Sequence, residues 1–161
     1  MKAFVVFDTR YGNTEKIARS FEAGLDQVGI ETFCVNAKDL NFDDSLAHYD
    51  LICVGGPTEW HTASKPMKGF LRKLKGIDLS GKYGFAFDTR FAAPLSGSAA
   101  KLIERELKDL GILMIASHES AIVAGAKGGV VLLKEGEVER FKQIGARVGS
   151  TLAAKRGVAQ A

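Results

Sequence analysis

The chain is 161 residues long, with 46% hydrophobic and 25% charged residues and a formal net charge of +3. A domain of that length buries about two thirds of the surface its unfolded chain exposes, so it sustains a core without disulfides or metal, and the composition excludes a disordered chain. Five residues separate Lys2 from Asp8 and no apolar run approaches the ~18–20 residues of a bilayer span, so the expectation is a soluble, cytoplasmic protein without a signal peptide.

In chain order, "AFVVF" (3–7) is a β-branched and aromatic run typical of a strand buried on both faces. Ile17, Ala18, Phe21, Leu25 and Val28 then recur at helical spacing, and Gly29 closes that helix. "IETFCV" (30–35) reads as the second strand, the acidic segment around Asp43 and Asp44 as a weak helix, and "YDLICVGG" (49–56) as the third strand. Pro66 opens a helix carrying Met67, Phe70, Leu71 and Leu74. "KYGFAFD" (82–88) is the fourth strand, and a helix from Ser98 to about Leu110 turns Leu102, Ile103, Leu107 and Leu110 inward. "ILMIA" and "SAIVAG" make a fifth strand interrupted near His118, and Val138, Phe141, Ile144, Val148 and Leu152 set the core face of the last helix. Strands alternating with helices predict one α/β domain over 1–161, with a parallel sheet covered on both faces. Ligands of such sheets bind outside the carboxyl ends of the strands, which directs attention to the loops after strands one, three and four.

The first of these loops, Thr9-Arg10-Tyr11-Gly12-Asn13-Thr14, is rich in hydroxyl and amide groups. Gly12 permits tight curvature, Asn13 or Thr14 can cap the helix, and the helix amides suit a phosphate. Arg10 is the only cation in the loop and no Walker lysine is present; the near-match "GIDLSGKY" (76–83) has tyrosine where Ser/Thr is required and leads into a strand. The third-strand loop, "GGPTEWHTASKP" (55–66), offers Pro57, Thr58, Glu59 and Trp60, the sole tryptophan, in a polar setting where stacking on a ring system explains it. The fourth-strand loop, "FDTRFAAPLSGS" (87–98), offers Asp88, Thr89, Arg90 and Phe91. Each aromatic has the simpler reading of a loop folding back on the core. Cys34 and Cys53 lie inside strand-like runs without CxxC spacing and read as buried free thiols; the spacing of His48, His61 and His118 suggests no metal site.

These motifs, Thr9-x-Tyr11-Gly12-Asn13-Thr14, then "GGPT" before Trp60, then an aromatic-bearing fourth loop, resemble the flavodoxin family over essentially the whole chain. The resemblance implies a three-layer sandwich with a five-stranded parallel sheet in the order 2-1-3-4-5, and FMN as cofactor. It assigns phosphate binding to Thr9, Tyr11, Asn13, Thr14 and Thr58, and one ring face to Trp60. That sheet order also puts strand one between the two cysteine-bearing strands. The family is typically acidic, whereas this chain has a pI near 8.9.

Single-electron transfer between redox partner proteins by bound FMN is the function these readings point to, with no catalytic residue assigned and the flavin carrying the chemistry. Backbone around Gly55–Trp60 and Asp88–Arg90 is expected at the ring edge, with Glu59 and Asp88 disfavouring an anionic reduced flavin and Arg90 partly offsetting them. The alternatives are an FMN-dependent NAD(P)H:quinone oxidoreductase and a flavin-binding regulatory module. From Lys134 onward six basic residues face three acidic ones, so residues 1–133 balance. That basic segment is either a solvated helix face or a surface for an acidic partner; no nucleic-acid partner is expected, and the chain is expected to be a monomer or weak homodimer.

Overall fold

The structure, a computed structural model, describes residues 1–41 and 44–159. Strand β1 (Lys2–Phe7) alternates its side chains between two cores. Ala3, Val5 and Phe7 face one side, where α1 (Asn13–Gln27) and α4 (Glu137–Ala159) pack; Phe4 and Val6 face the other, under α2 (Lys65–Leu74) and α3 (Ala99–Asp109). The remaining strands are β2 (Glu31–Asn36), β3 (Leu51–Glu59), β4 (Thr62–Ala63), β5 (Tyr83–Phe91), β6 (Leu113–Met114), β7 (Glu119–Gly125) and β8 (Val131–Leu133). The sheet runs β2-β1-β3-β5-β7-β8, parallel through β7, which is the anticipated 2-1-3-4-5 order of the five long strands. To it are added β8, antiparallel to β7 at the edge, and the short β4.

The fifth strand divides as expected: β6 and β7 both pair with β5, and His118 lies between them. There the His118 amide and imidazole bond to Glu104, which also pairs with Lys108. Burial pushes the Glu104 carboxyl up, but those hydrogen bonds outweigh it and hold the group at about 2. Of the acidic segment, Asp43 lies outside the described residues and Asp44–His48 is a short 3-10 helix. Val138 does not join the core face of α4, being 46% exposed at the first turn, whereas Phe141, Ile144, Val148 and Leu152 are buried.

Val5 stands opposite Cys34 on one side and Cys53 on the other, so the thiols lie two strand spacings apart, roughly 9–10 Å and beyond disulfide reach. Both are free and buried, and burial pushes the Cys34 thiol up to about 12.

Helices α1 and α4 approach closely enough that only glycine fits at their crossing. A Cβ on Gly145 would stand 2.2 Å from the Phe21 carbonyl oxygen, and one on Gly24 2.0 Å from that of Lys142. Because the obstacle is backbone, Gly145→Ala is expected to destabilise the fold by about 2 kcal/mol or more. That lowers the thermal midpoint by roughly 4–8 °C, which calorimetry measures. An unchanged midpoint would mean the helices can separate at little cost.

Candidate functional site

At the carboxyl edge of the sheet a cleft of about 280 Å³ opens between Tyr11 and Asn13 on one side and Pro57–Trp60 on another, closed by Thr89–Phe91. Three strands converge there. Pro57 on β3 pairs with Thr89 on β5, and β7 holds β5 in register as far as Phe91. This pairing extends β3 and β5 beyond their apolar runs, so residues 57–59 and 89–91, read from sequence as loop, are strand.

The 9–14 loop is not capped in the way its composition suggested. Gly12 is the N-cap of α1, at φ 82°, and no side chain accepts from the first-turn amides. By contrast, Ser64 caps α2 and Ser98 caps α3. Thr9 Oγ1 instead accepts from the Gly12 amide at 3.0 Å. The Asn13 and Thr14 side chains are buried and turned to other tasks: Asn13 Nδ2 donates to the Val131 carbonyl at 2.8 Å, and Thr14 shares a 2.8 Å hydroxyl hydrogen bond with Thr89. The start of α1 therefore presents amides without a side-chain acceptor, together with the positive end of the helix dipole, on a loop fixed to both β5 and β8.

Trp60 and His61 form the two-residue turn between β3 and β4, both at positive φ (47° and 69°), the geometry of a type I′ hairpin usually made by Asn-Gly. Bulky residues hold that conformation at a cost, and such strain concentrates at functional sites. Here it places Trp60 at the hairpin tip, 92% exposed, at the cleft rim. Beneath the hairpin, Gly97 passes so close that a Cβ on it would lie 2.5 Å from the His61 Cα.

Three of the polar candidates, Asp88, Thr58 and Arg90, hold these loops in place. Asp88 is fully buried; its Oδ2 accepts from Thr58 Oγ1 (3.0 Å), Ser98 Oγ (2.8 Å) and the Ala100 amide (3.0 Å), and it does not line the cleft. Thr58 Oγ1 in turn accepts from the Ala99 amide at 2.8 Å, so its hydroxyl is engaged with the start of α3 rather than turned to the 9–14 loop. Arg90 donates to Ser96 Oγ and the Gly97 carbonyl, fastening the 92–98 loop. Glu59 lies 3.7 Å from Arg10, which also stands over the Tyr11 ring. The expected field of Glu59 and Asp88 on the cleft is thereby reduced, one being paired and the other hydrogen-bonded at a helix start.

Val123 and Val131 complete the lining, and sequence reading did not select them. The signal available was the glycine-rich "GAKGG" (125–129) between "AIVA" and "VVLL", the pattern of a hairpin. The segment 76–83 that approximates a nucleotide-binding loop leads into the amino end of β5, at the opposite edge of the sheet.

Comparison with known proteins agrees with this geometry. The family model described as flavodoxin matches residues 5–155. A flavodoxin of Clostridium saccharobutylicum is 28% identical over 121 residues, 73% of this chain and 67% of that one. Among solved structures, a flavodoxin from the domain Archaea superposes with a TM-score of 0.79 at 21% identity, over 95% of this chain and 99% of that one. Flavodoxin 1 of Bacillus cereus gives 0.78 at 22% identity, over 93% and 98%. With the sheet order, the loop at α1 and the match over nearly its full length in agreement, the chain belongs to the flavodoxin family of flavin-binding electron-transfer proteins.

Proposed function

We propose that the protein binds FMN in this cleft and carries single electrons between redox partner proteins. The observation that carries the reading is the uncapped start of α1 opening beside a cleft with aromatic rings at its rim: an anion acceptor next to a slot for a flat ring system. The donor set suits the group. The first-turn amides of α1 and the hydroxyls of Thr9 and Tyr11 can bond a phosphate, while Thr14 and Asn13 hold the loop in place. Backbone of Pro57–Trp60 and Thr89–Arg90 borders the cleft where a ring edge would lie, and Tyr11, Trp60 and Phe91 offer flat surfaces. Bound FMN supplies the electron chemistry; the chain supplies binding, orientation and exclusion of water.

Trp60 is the sole tryptophan and reports directly on the cleft. Its emission is expected to be largely quenched when FMN is added to apoprotein, and Trp60→Ala to weaken FMN binding by about 1–3 kcal/mol, the range for aromatic stacking on a base. Unchanged emission at saturating FMN would place the ring system away from this hairpin.

A further inference from the structure

The sequence concentrates positive charge at its carboxyl end, but the fold neutralises much of it there. On α4, Arg140 pairs with Glu119 and Glu137, Arg147 lies 3.8 Å from Glu119, and Arg156 lies 2.9 Å from Asp50. On the opposite face of the sheet, α2 carries four cations and no carboxylate. Between α2 and α3 runs a hollow of about 200 Å³ with Lys68, Arg72 and Lys75 on one wall and Leu102 and Glu106 on the other. Leu102 also lines a second hollow, of about 530 Å³, that follows Lys101, Arg105 and Lys108 of α3 to His61 and Gly97. The two hollows share Leu102, and together they make a cationic groove surface whose second part reaches the hairpin that bears Trp60.

The carboxylates of this groove are already engaged. Glu104 holds Lys108 and His118, and Glu106 lies 3.5 Å from Lys75 and 3.9 Å from Arg105. Among the described residues no carboxylate pairs with Lys68, Arg72 or Lys101.

We propose that the α2–α3 groove is the docking surface for an acidic redox-partner protein, whose carboxylates sit on Lys68, Arg72 and Lys101 while its redox centre meets the Trp60 hairpin. This rests on the electron-transfer reading above and replaces the carboxyl-terminal segment as the site of contact. Charge complementarity identifies the partner as acidic, and unpaired surface cations, Arg72 and Lys101 exposed and Lys68 half-buried, steer an oppositely charged protein on approach. Continuity with the cleft identifies it as a redox protein, because His61 at the groove's end adjoins Trp60 at the cleft rim. Trp60 and Leu95, 92% and 84% exposed, add the apolar contact that protein interfaces surround with a charged rim. FMN held in the cleft would supply one electron and the partner's redox centre would accept it, while Lys68, Arg72 and Lys101 would hold the two proteins together.

Native cytochrome c, which is basic, and cytochrome c with its lysines succinylated, which is acidic, are probes with the same haem and opposite charge. Binding is measured first by calorimetry, which requires no flavin. Stopped-flow reduction of ferric haem by dithionite-reduced, FMN-loaded protein follows. The succinylated probe is expected to bind the wild type more tightly than the native one. The variant Lys68→Glu/Arg72→Glu/Lys101→Glu should weaken that binding and slow the second-order rate by about tenfold or more at low salt, and flatten the salt dependence. The milder Lys68→Gln/Arg72→Gln/Lys101→Gln should fall between, and Lys134→Glu/Lys142→Glu/Lys155→Glu should change either quantity by less than about twofold. Equal effects of the two charge reversals, preference for native cytochrome c, or displacement of the succinylated probe by duplex DNA at matched charge would overturn the docking proposal. Groove-dependent binding by a chain that shows no flavin absorbance after FMN loading would instead overturn the electron-transfer reading.

Discussion

FMN is expected to bind the apoprotein at least about a hundredfold more tightly than riboflavin, because two or more hydrogen bonds to a charged phosphate contribute about 1.5–3 kcal/mol each. The proposed donors are at the start of α1, where Gly12 at φ 82° turns the chain and no side chain accepts from the first amides. Riboflavin has no phosphate for these amides. Replacing both Asn13 and Thr14 with alanine should reproduce much of the loss with FMN while affecting riboflavin little. Those side chains lock the loop to Val131 and Thr89, and without them the amides lose their fixed direction. Quenching of flavin fluorescence on titration with apoprotein measures both affinities. Equal affinity for the two flavins would remove the phosphate from this loop.

Asp88→Ala is expected to cost about 3 kcal/mol of stability, since it leaves two hydroxyls and an amide without their buried acceptor. Thermal midpoint should fall by roughly 6–12 °C. The donors come from three places, Thr58 at the end of β3, Ser98 at the cap of α3 and the Ala100 amide, so their release leaves the Ala99–Thr58 hydrogen bond alone to tie the β3 hairpin to α3. FMN affinity should therefore drop together with stability. Asp88→Asn keeps an acceptor oxygen and should show a smaller effect on both. A midpoint unchanged in Asp88→Ala would show that the loops are held by other contacts.

The parts of this fold that were legible in the sequence are those set by local pattern. The uninterrupted apolar run at 3–7 requires burial on two faces, and the structure places alternate residues in two separate cores. The helical spacing through Phe21 and Leu25, Pro66 at the start of α2 and Ser98 before α3 are similarly local. What escaped depends on residues far apart in the chain. Thr14 meets Thr89, and Asn13 meets Val131 across a hairpin edge, so side chains suited to capping were drawn elsewhere and the helix start was left to backbone. Asp88 reads from sequence as a carboxylate at the flavin edge, where the fourth strand gives way to its loop, yet β7 pairing carries β5 past it and the side chain is fully buried, outside the cleft lining. The charge map shifted for the same reason: Glu119 and Asp50, both outside α4, neutralise its arginines.

The central claim, FMN held in the cleft for one-electron transfer, is tested most directly by anaerobic stepwise reduction of protein loaded with one equivalent of FMN and freed of excess by gel filtration. The account predicts that flavin co-elutes with the protein and is reduced in two resolved one-electron steps, with no steady consumption of NAD(P)H when a quinone is supplied. Elution without flavin would contradict the site. Sustained NAD(P)H oxidation coupled to quinone reduction would contradict the carrier function and identify the protein as an oxidoreductase acting on those substrates.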